Sequence, residues 1–372
     1  MIEDPERLTA ALEAWMSVTL GGDCRVESLR RATSGQSSGT FLFDLAGHSA
    51  EEDRSFVLRT QPGPGHLFPD PDVIREAAVI NGLAELGQVP VPRILGVESN
   101  PAVLGCPFFV MDHVSGRVPQ GKPSIHVTGW LPELGPLRVR SMWESALATM
   151  VAVHATPWRR SHPFLGPDGT SEDFLARRVA WIERYYRWVV GSRSYPITDH
   201  ALRYLLEHRH QVVPSGPALV WGDARVGNMI IAPDLSVAAA IDWEVATVGP
   251  PEIDLAHWLF FDQFSTEASG FARLDGWPDR DETVRLYQEM SGHPVVDLEY
   301  YDVMQALFMA TTLIRQSDNR VERGLAGADT RMGHDNTVTQ MLARMLELPV
   351  PELSADYAAH RAGPIRAPAP EA

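Results

Sequence analysis

Cysteine and lysine are what this chain of 372 residues has least of: two cysteines, Cys24 and Cys106, and one lysine, Lys122. Two thiols so far apart in sequence exclude a disulfide framework and a zinc ribbon, and they read as reduced core residues of a cytoplasmic protein. With a single lysine, every other fixed side-chain cation is an arginine, which restricts the residues able to hold a phosphate. No run of about 18 apolar residues occurs, so no membrane-spanning helix is expected. The opening MIEDPERLTAALEAW is acidic and amphipathic rather than basic and then apolar, unlike a signal peptide. Positive charge is also short overall. Against 48 Asp and Glu stand 32 Lys and Arg, a formal net charge of -16. Such a balance excludes general affinity for nucleic acid or an anionic membrane, both of which need clustered cations, and it suits a neutral or cationic small ligand. Nothing in the composition points to a partner chain, and a monomer or weak dimer is expected.

What is present is ordinary globular composition, 44% hydrophobic and 22% charged, in a chain longer than one core usually serves. Two lobes are the expectation, and they differ in character. Residues 1–112 read as an N-terminal helix, three strands (CRVESLRRA, GTFLFDLAG, SFVLRT), a helix in PDVIREAAVINGLAELG between Pro71 and Gly87, and two more strands, RILGVES and PFFVMDHV. A hinge over 113–120 follows. From 121 to 350 helical patterns dominate, as in LRVRSMWESALATMVAVHA, SEDFLARRVAWIERYYRWVV and LEYYDVMQALFMATTLIRQ. One small strand pair, within 218–242, interrupts them. Residues 351–372, rich in Pro and Ala, read as a loose tail.

The strand pair encloses WGDARVGN, residues 221–228. Gly, Asp and Asn are common turn residues, and a tight connection alone could use all three. The wider set argues for more. Asp223 precedes Asn228 by five positions, and Asp242 follows at the end of the returning strand in IDWE, so three oxygen-bearing side chains converge. An acid there can accept a hydroxyl proton, while an Asn and an Asp offer the oxygen ligands that Mg2+ prefers.

WGDARVGNMI followed by AAIDWEVATVGPPEIDLAHW resembles the aminoglycoside phosphotransferase family, the small-molecule branch of the protein-kinase-like fold, which includes choline-kinase-like and hydroxyacyl-kinase-like enzymes. SGQSSGTFLF, FVLR and GCPFFVMDHVSG extend the likeness, which covers roughly residues 25 to 320. The resemblance implies an α+β bilobal fold with a five-stranded N-lobe bearing one main helix and a mostly helical C-lobe carrying a catalytic hairpin. It implies Mg2+-dependent transfer from ATP or GTP to a small-molecule hydroxyl. Asp223 and Arg225 would be catalytic, Asn228 and Asp242 would hold metal, and Asp254 and Trp221 would support the loop. Ser34, Gly35, Ser37, Ser38, Arg59, Glu76, Met111, Asp112 and His113 would bind the nucleotide.

Three positions depart from the family pattern. Trp221 stands where a His is usual, Arg59 replaces the third-strand lysine with Glu76 as its expected partner, and the nucleotide loop lacks G-x-G-x-x-G. A nucleotide-binding pseudokinase is therefore the competing class.

The acceptor is the least legible part. Trp181, Tyr185, Tyr186 and Trp188 fit a pocket wall or a helix core equally. Glu244, Asp262, Glu267 and Asp275 would suit an aminoglycoside, whereas Arg177, Arg178, Arg184, Arg187, Arg315 and Arg320 would suit a phosphate-bearing hydroxyacyl thioester.

Overall fold

The structure, a computed structural model, describes residues 4–32, 39–46, 54–166 and 168–362. It divides into two compact units, Met1–Ser115 and Gly116–Ala372.

In the first unit, helix α1 (Pro5–Leu20) begins where the Asp4 carboxylate accepts the Glu6 and Arg7 amides, and it ends at Gly21 in the left-handed region. Leu8, Leu12 and Met16, one turn apart, give it a buried stripe. Strands β1 (Arg25–Arg31), β2 (Gly39–Ala46) and β3 (Arg54–Thr60) are followed by α2 (Val73–Leu86) and then by β4 (Ile94–Glu98) and β5 (Phe108–Asp112). All pair antiparallel in the order β1-β2-β3-β5-β4. The period-two rule is strictest in β2, where Gly39, Phe41, Phe43 and Leu45 are buried, and the last three join Phe56, Phe108 and the stripe of α1 in one core. Asp72 caps α2 through the Arg75 amide, and Gly87 closes it. The five-stranded sheet with one main helix is the expected N-lobe.

The second unit is mostly helical. Its helices are α3 (Pro136–His154), the single turn α4 (Trp158–Ser161), α5 (Ser171–Val190), α6 (Pro196–His208), α7 (Glu252–Ser265), α8 (Arg280–Ser291), α9 (Leu298–Glu322), α10 (Thr337–Met345) and α11 (Ala355–Ala362). The long α9 is the hub, packed by α5, α6, α7 and α10. The expected hairpin is present as β7 (Met229–Ile231) paired with β8 (Val237–Ala240). It is not the only strand pair: β6 (Ala218–Val220), which leads into the loop, pairs with β9 (Thr247–Gly249). Residue 117, within the expected hinge, exchanges both backbone hydrogen bonds with Ile231, which fixes the start of this unit to β7.

The expected loose tail is corrected over part of its length. Residues 355–362 form α11, held by buried Tyr357 and by Arg361, which donates to the Pro123 carbonyl and the Ser269 hydroxyl. Residues 363–372 lie outside the described ones. No helix among the described residues is long and apolar enough to cross a membrane.

Candidate active site

Strand β6 is buried along its whole length and delivers Trp221, Gly222 and Asp223 to one edge of the hairpin. Asp254, in the first turn of α7, fastens this approach: its two carboxylate oxygens accept the Trp221 and Gly222 amides, each at 2.7 Å. His154 approaches the same carboxylate at 3.0 Å through Nε2, which carries the proton because a carboxylate only accepts, and its Nδ1 lies 2.8 Å from the Tyr287 hydroxyl. Gly222 has φ 87°, and a side chain there would come within 2.5 Å of the Val245 carbonyl oxygen. Only glycine fits that turn. The Trp221 indole donates to the carbonyls of Ile241 and Asp242 at 3.1 and 3.0 Å and stacks on Trp243 with centroids 4.8 Å apart. A large aromatic in place of histidine thus ties the loop to the end of the returning strand.

Asp223 is the centre of the arrangement. Its Oδ1 accepts from Arg225 Nε at 3.0 Å and from His257 Nε2 at 2.7 Å, and its Oδ2 accepts from Asn228 Nδ2 at 2.7 Å. Burial alone would raise its proton affinity. Arg225, His257 and Asn228 together outweigh burial and hold the carboxyl well below the usual carboxylate range. The side chain nevertheless keeps 23% of its surface exposed, so a ligand can reach it.

Arg225 is itself positioned, its guanidinium 4.9 Å over the Phe261 ring. Gly227 makes room for it, since a side chain there would sit 2.5 Å from Arg225 Nη1. Asn228 also donates Nδ2 to the Asp223 carbonyl at 3.0 Å. Among the described residues its Oδ1 takes no hydrogen bond, which leaves an oxygen ligand. Its own carbonyl accepts the Ile241 amide at 3.0 Å and so brings Asp242, strained at φ 67°, beside it. No group of three His, Cys, Asp or Glu placed to hold a metal ion occurs among the described residues. One amide oxygen and one carboxylate are a donor set that suits Mg2+, which binds few protein groups and keeps waters.

His257 is the residue that sequence reasoning missed. It is fully buried, and its Nδ1 lies 3.1 Å from Oε1 of buried Gln305 on α9. A lone His in an apolar helix reads as core. The available signal was its place three residues after Asp254, on the same face of α7.

In the first unit, Arg59 Nη2 meets Glu76 at 2.7 Å, with side chains only 10% and 4% exposed, and Arg59 Nη1 donates to the Thr40 hydroxyl. This is a buried pair, not a surface one. Asp112 has work inside the sheet: its carboxylate pairs with Arg54 and Arg93, each at 3.0 Å. The amides of Asp112 and His113 donate to the Arg93 and Ser55 carbonyls, and Met111 lies in register with Val57 and Ile94. Those amides are therefore not free for a nucleotide base. Ser34, Gly35, Ser37 and Ser38 lie outside the described residues.

Of the acceptor candidates, Tyr185 and Tyr186 are core, bonded to Thr312 and to Thr198 and Asp199, while Trp188 is 40% exposed. Arg178 is buried over the Trp181 and Phe308 rings. Glu267 and Asp275 are exposed. Asp262 is different: it lines a pocket of about 180 Å³ beside Arg225, whose walls include Ile125, Trp258, Phe261, Phe264 and Trp277. Trp277 Nε1 donates to Asp262 Oδ1 at 3.2 Å, and Oδ2 has no hydrogen-bond partner, with Arg273 at 3.8 Å. Burial, only partly offset by Arg273 and Trp277, pushes its pKa up to about 7.

Comparison with known proteins gives the family. Residues 28–288 match the family described as the phosphotransferase enzyme family. Acyl-CoA dehydrogenase family member 11 of Rattus norvegicus is 30% identical over 260 residues, 68% of this chain and 31% of that protein. Acyl-CoA dehydrogenase family member 10 of Mus musculus is 27% identical over 323 residues, 84% of this chain and 28% of that one. The chain thus spans about a third or less of these two relatives. A crystal structure of an aminoglycoside phosphotransferase homologue from Ralstonia eutropha superposes with a TM-score of 0.67 at 25% identity, covering 91% of this chain and 98% of the other.

Proposed function

Since this chain belongs to the phosphotransferase enzyme family, we propose that it moves the γ-phosphate of ATP or GTP to a hydroxyl of a small molecule, with Asp223 receiving the hydroxyl's hydrogen. The observation that carries the reading is a carboxylate held by three donors yet left partly open. Its depressed proton affinity makes Asp223 a weak base in the ground state. Its work is to accept a hydrogen bond from the acceptor hydroxyl and aim the oxygen at phosphorus. As the oxygen–phosphorus bond forms and the bond from phosphorus to the nucleoside diphosphate breaks, the hydroxyl becomes acidic and its proton passes to Asp223. Positioning and electrostatics supply most of the rate in such transfers. Arg225, anchored through Nε, keeps its remaining N–H groups for the charge on the moving phosphoryl group. Asn228 and Asp242 would hold Mg2+, which when bound draws charge from the phosphate oxygens. Arg59, kept in place by Glu76, is assigned to the nucleotide phosphates.

For the acceptor, we favour a hydroxylated acyl thioester over an aminoglycoside. Two relatives named for acyl-CoA support it, as does the mainly apolar wall of the pocket beside Arg225. A coupled ADP-release screen over hydroxyacyl thioesters, choline-like alcohols and aminoglycosides tests both parts. Saturable turnover with thioesters is expected. Turnover only with kanamycin-like compounds would remove the acceptor assignment, and nucleotide binding with no turnover on any acceptor would make the protein a pseudokinase.

A further inference from the structure

Many arginines of the second unit have acidic partners; Arg140, Arg193, Arg280 and Arg331 each meet a carboxylate. Other cations do not, and three of these bear on one pocket. Among the described residues no carboxylate lies within 4.0 Å of Lys122, Arg320 or Arg361, although acids outnumber bases by 48 to 32 in the chain. Arg361 lines the pocket beside Arg225, and so do Gly121 and Pro123, the two neighbours of Lys122. The Arg361 guanidinium is set there by the Pro123 carbonyl at 3.3 Å, the Ser269 hydroxyl at 2.8 Å and the Phe264 ring at 4.5 Å. Arg320 donates Nη2 to the Leu325 carbonyl at 3.1 Å, while its Nε is buried with no hydrogen-bond partner.

These cations act on one another. Burial, then Arg361 and Arg320, lower the proton affinity of Lys122. Burial, then Arg320, Lys122 and Arg361, do the same to His360. Like charges left together without a counter-ion raise the energy of the empty site, and an anion relieves it.

We infer that Lys122, Arg320 and Arg361 form a subsite for an anionic group on the acceptor, at the edge of the pocket beside Arg225. The inference rests on reading that pocket as the acceptor's. Asp262 is its one acid among the described lining residues, and the rest of the wall is mainly apolar. At about 180 Å³ the cavity is smaller than the ~300–1,000 Å³ of most small-molecule sites, so it takes a short apolar body and leaves the anion at the rim. The acceptor class is an anionic hydroxy compound whose charge is a carboxylate or a phosphate. A polycation would meet three uncompensated positive charges.

Titration calorimetry on the whole chain, without nucleotide, tests the subsite. The probes are 3-hydroxyoctanoate, 3-hydroxyoctanoyl-CoA, uncharged 1,3-octanediol and kanamycin. At least one anionic probe is expected to bind about tenfold or more tightly than the diol, the worth of a charge-assisted hydrogen bond. Lys122→Met and Arg320→Gln should each erase much of that advantage and leave diol binding unchanged. Among the described residues the Lys122 ammonium makes no hydrogen bond or ion pair that folding would miss. Binding of hydroxyoctanoate identifies a carboxylate site and binding of the thioester alone a phosphate site; both support the inference. Equal binding of diol and anions, tighter binding of kanamycin, or anion binding indifferent to both substitutions overturns it. Anion binding that depends on Lys122 without ADP release would keep the subsite and remove the phosphotransfer reading.

Discussion

The first unit buries one arginine beside one glutamate, and the second holds one partly open aspartate among an arginine, a histidine and an asparagine. Arg59 and Glu76 close on each other with little surface left. Asp223 has more donors than it needs and stays partly open. A closed pair of opposite charges fixes geometry: it ties a strand to a helix. A carboxylate with surplus donors is held ionised and still has lone pairs to offer. The first pattern is expected to show itself in stability and the second in turnover.

The largest effect should follow from emptying the open cluster of its charge. Asp223→Asn is expected to lower kcat on an identified acceptor by about 10²–10⁴-fold, the range for a positioned acid–base group, while nucleotide affinity holds; steady-state kinetics beside nucleotide titration checks both. Glu76→Ala attacks the closed pair. It takes the Glu76 carboxylate from a buried guanidinium and should cost about 3–5 kcal/mol, read as a fall in the denaturation midpoint, whereas the joint replacement Arg59→Met with Glu76→Leu should recover most of it. If Glu76→Ala lowered turnover without moving the midpoint, the two clusters would not differ as described.

His257→Phe removes one donor from Asp223 and leaves Arg225 and Asn228. The expected result is a fall of about tenfold in kcat with KM for nucleotide unchanged, since the substitution loosens aim rather than phosphate binding. Equal changes in kcat and KM would mark His257 as ordinary core. Asp262→Asn leaves turnover aside and changes stability with a defined sign. The carboxyl's folded pKa, about 7, lies above its usual value, so its contribution to stability is complete below about pH 4 and is lost as pH rises through 7. Melting curves should show wild type losing stability between pH 5 and 7 at up to about 1.4 kcal/mol per pH unit relative to Asp262→Asn. Parallel pH profiles would contradict it.

Much of this contrast was legible before any coordinates. All five strands of the first unit were read in order, Pro71 and Gly87 bracketed α2, and the pairing of Arg59 with Glu76 followed from the family resemblance. The spacing of Asp223, Asn228 and Asp242 predicted a convergence that the loop and hairpin provide. Features that depend on distant partners were not visible. Strand β9 is three residues long and exists because β6 pairs with it. Helix α11 sits next to a Pro- and Ala-rich stretch and is stabilised by Tyr357 and Arg361 packing elsewhere in the unit. Asp112 reads as a nucleotide-binding residue just before the hinge, and two arginines on other strands or turns claim it. His257 differs from a core histidine only through what faces it, an aspartate 34 positions earlier in the chain.

The central claim is that Arg225, His257 and Asn228 keep Asp223 ionised so that it can orient a hydroxyl. Carbon-13 carboxyl NMR of the whole chain labelled at aspartate, with the Asp223 resonance assigned by its absence from Asp223→Asn, measures this directly. The account predicts no titration of that resonance from pH 8 down to about 4, with the step appearing earlier when His257 is replaced by Phe. A step between pH 5 and 7 in the unsubstituted protein would contradict it.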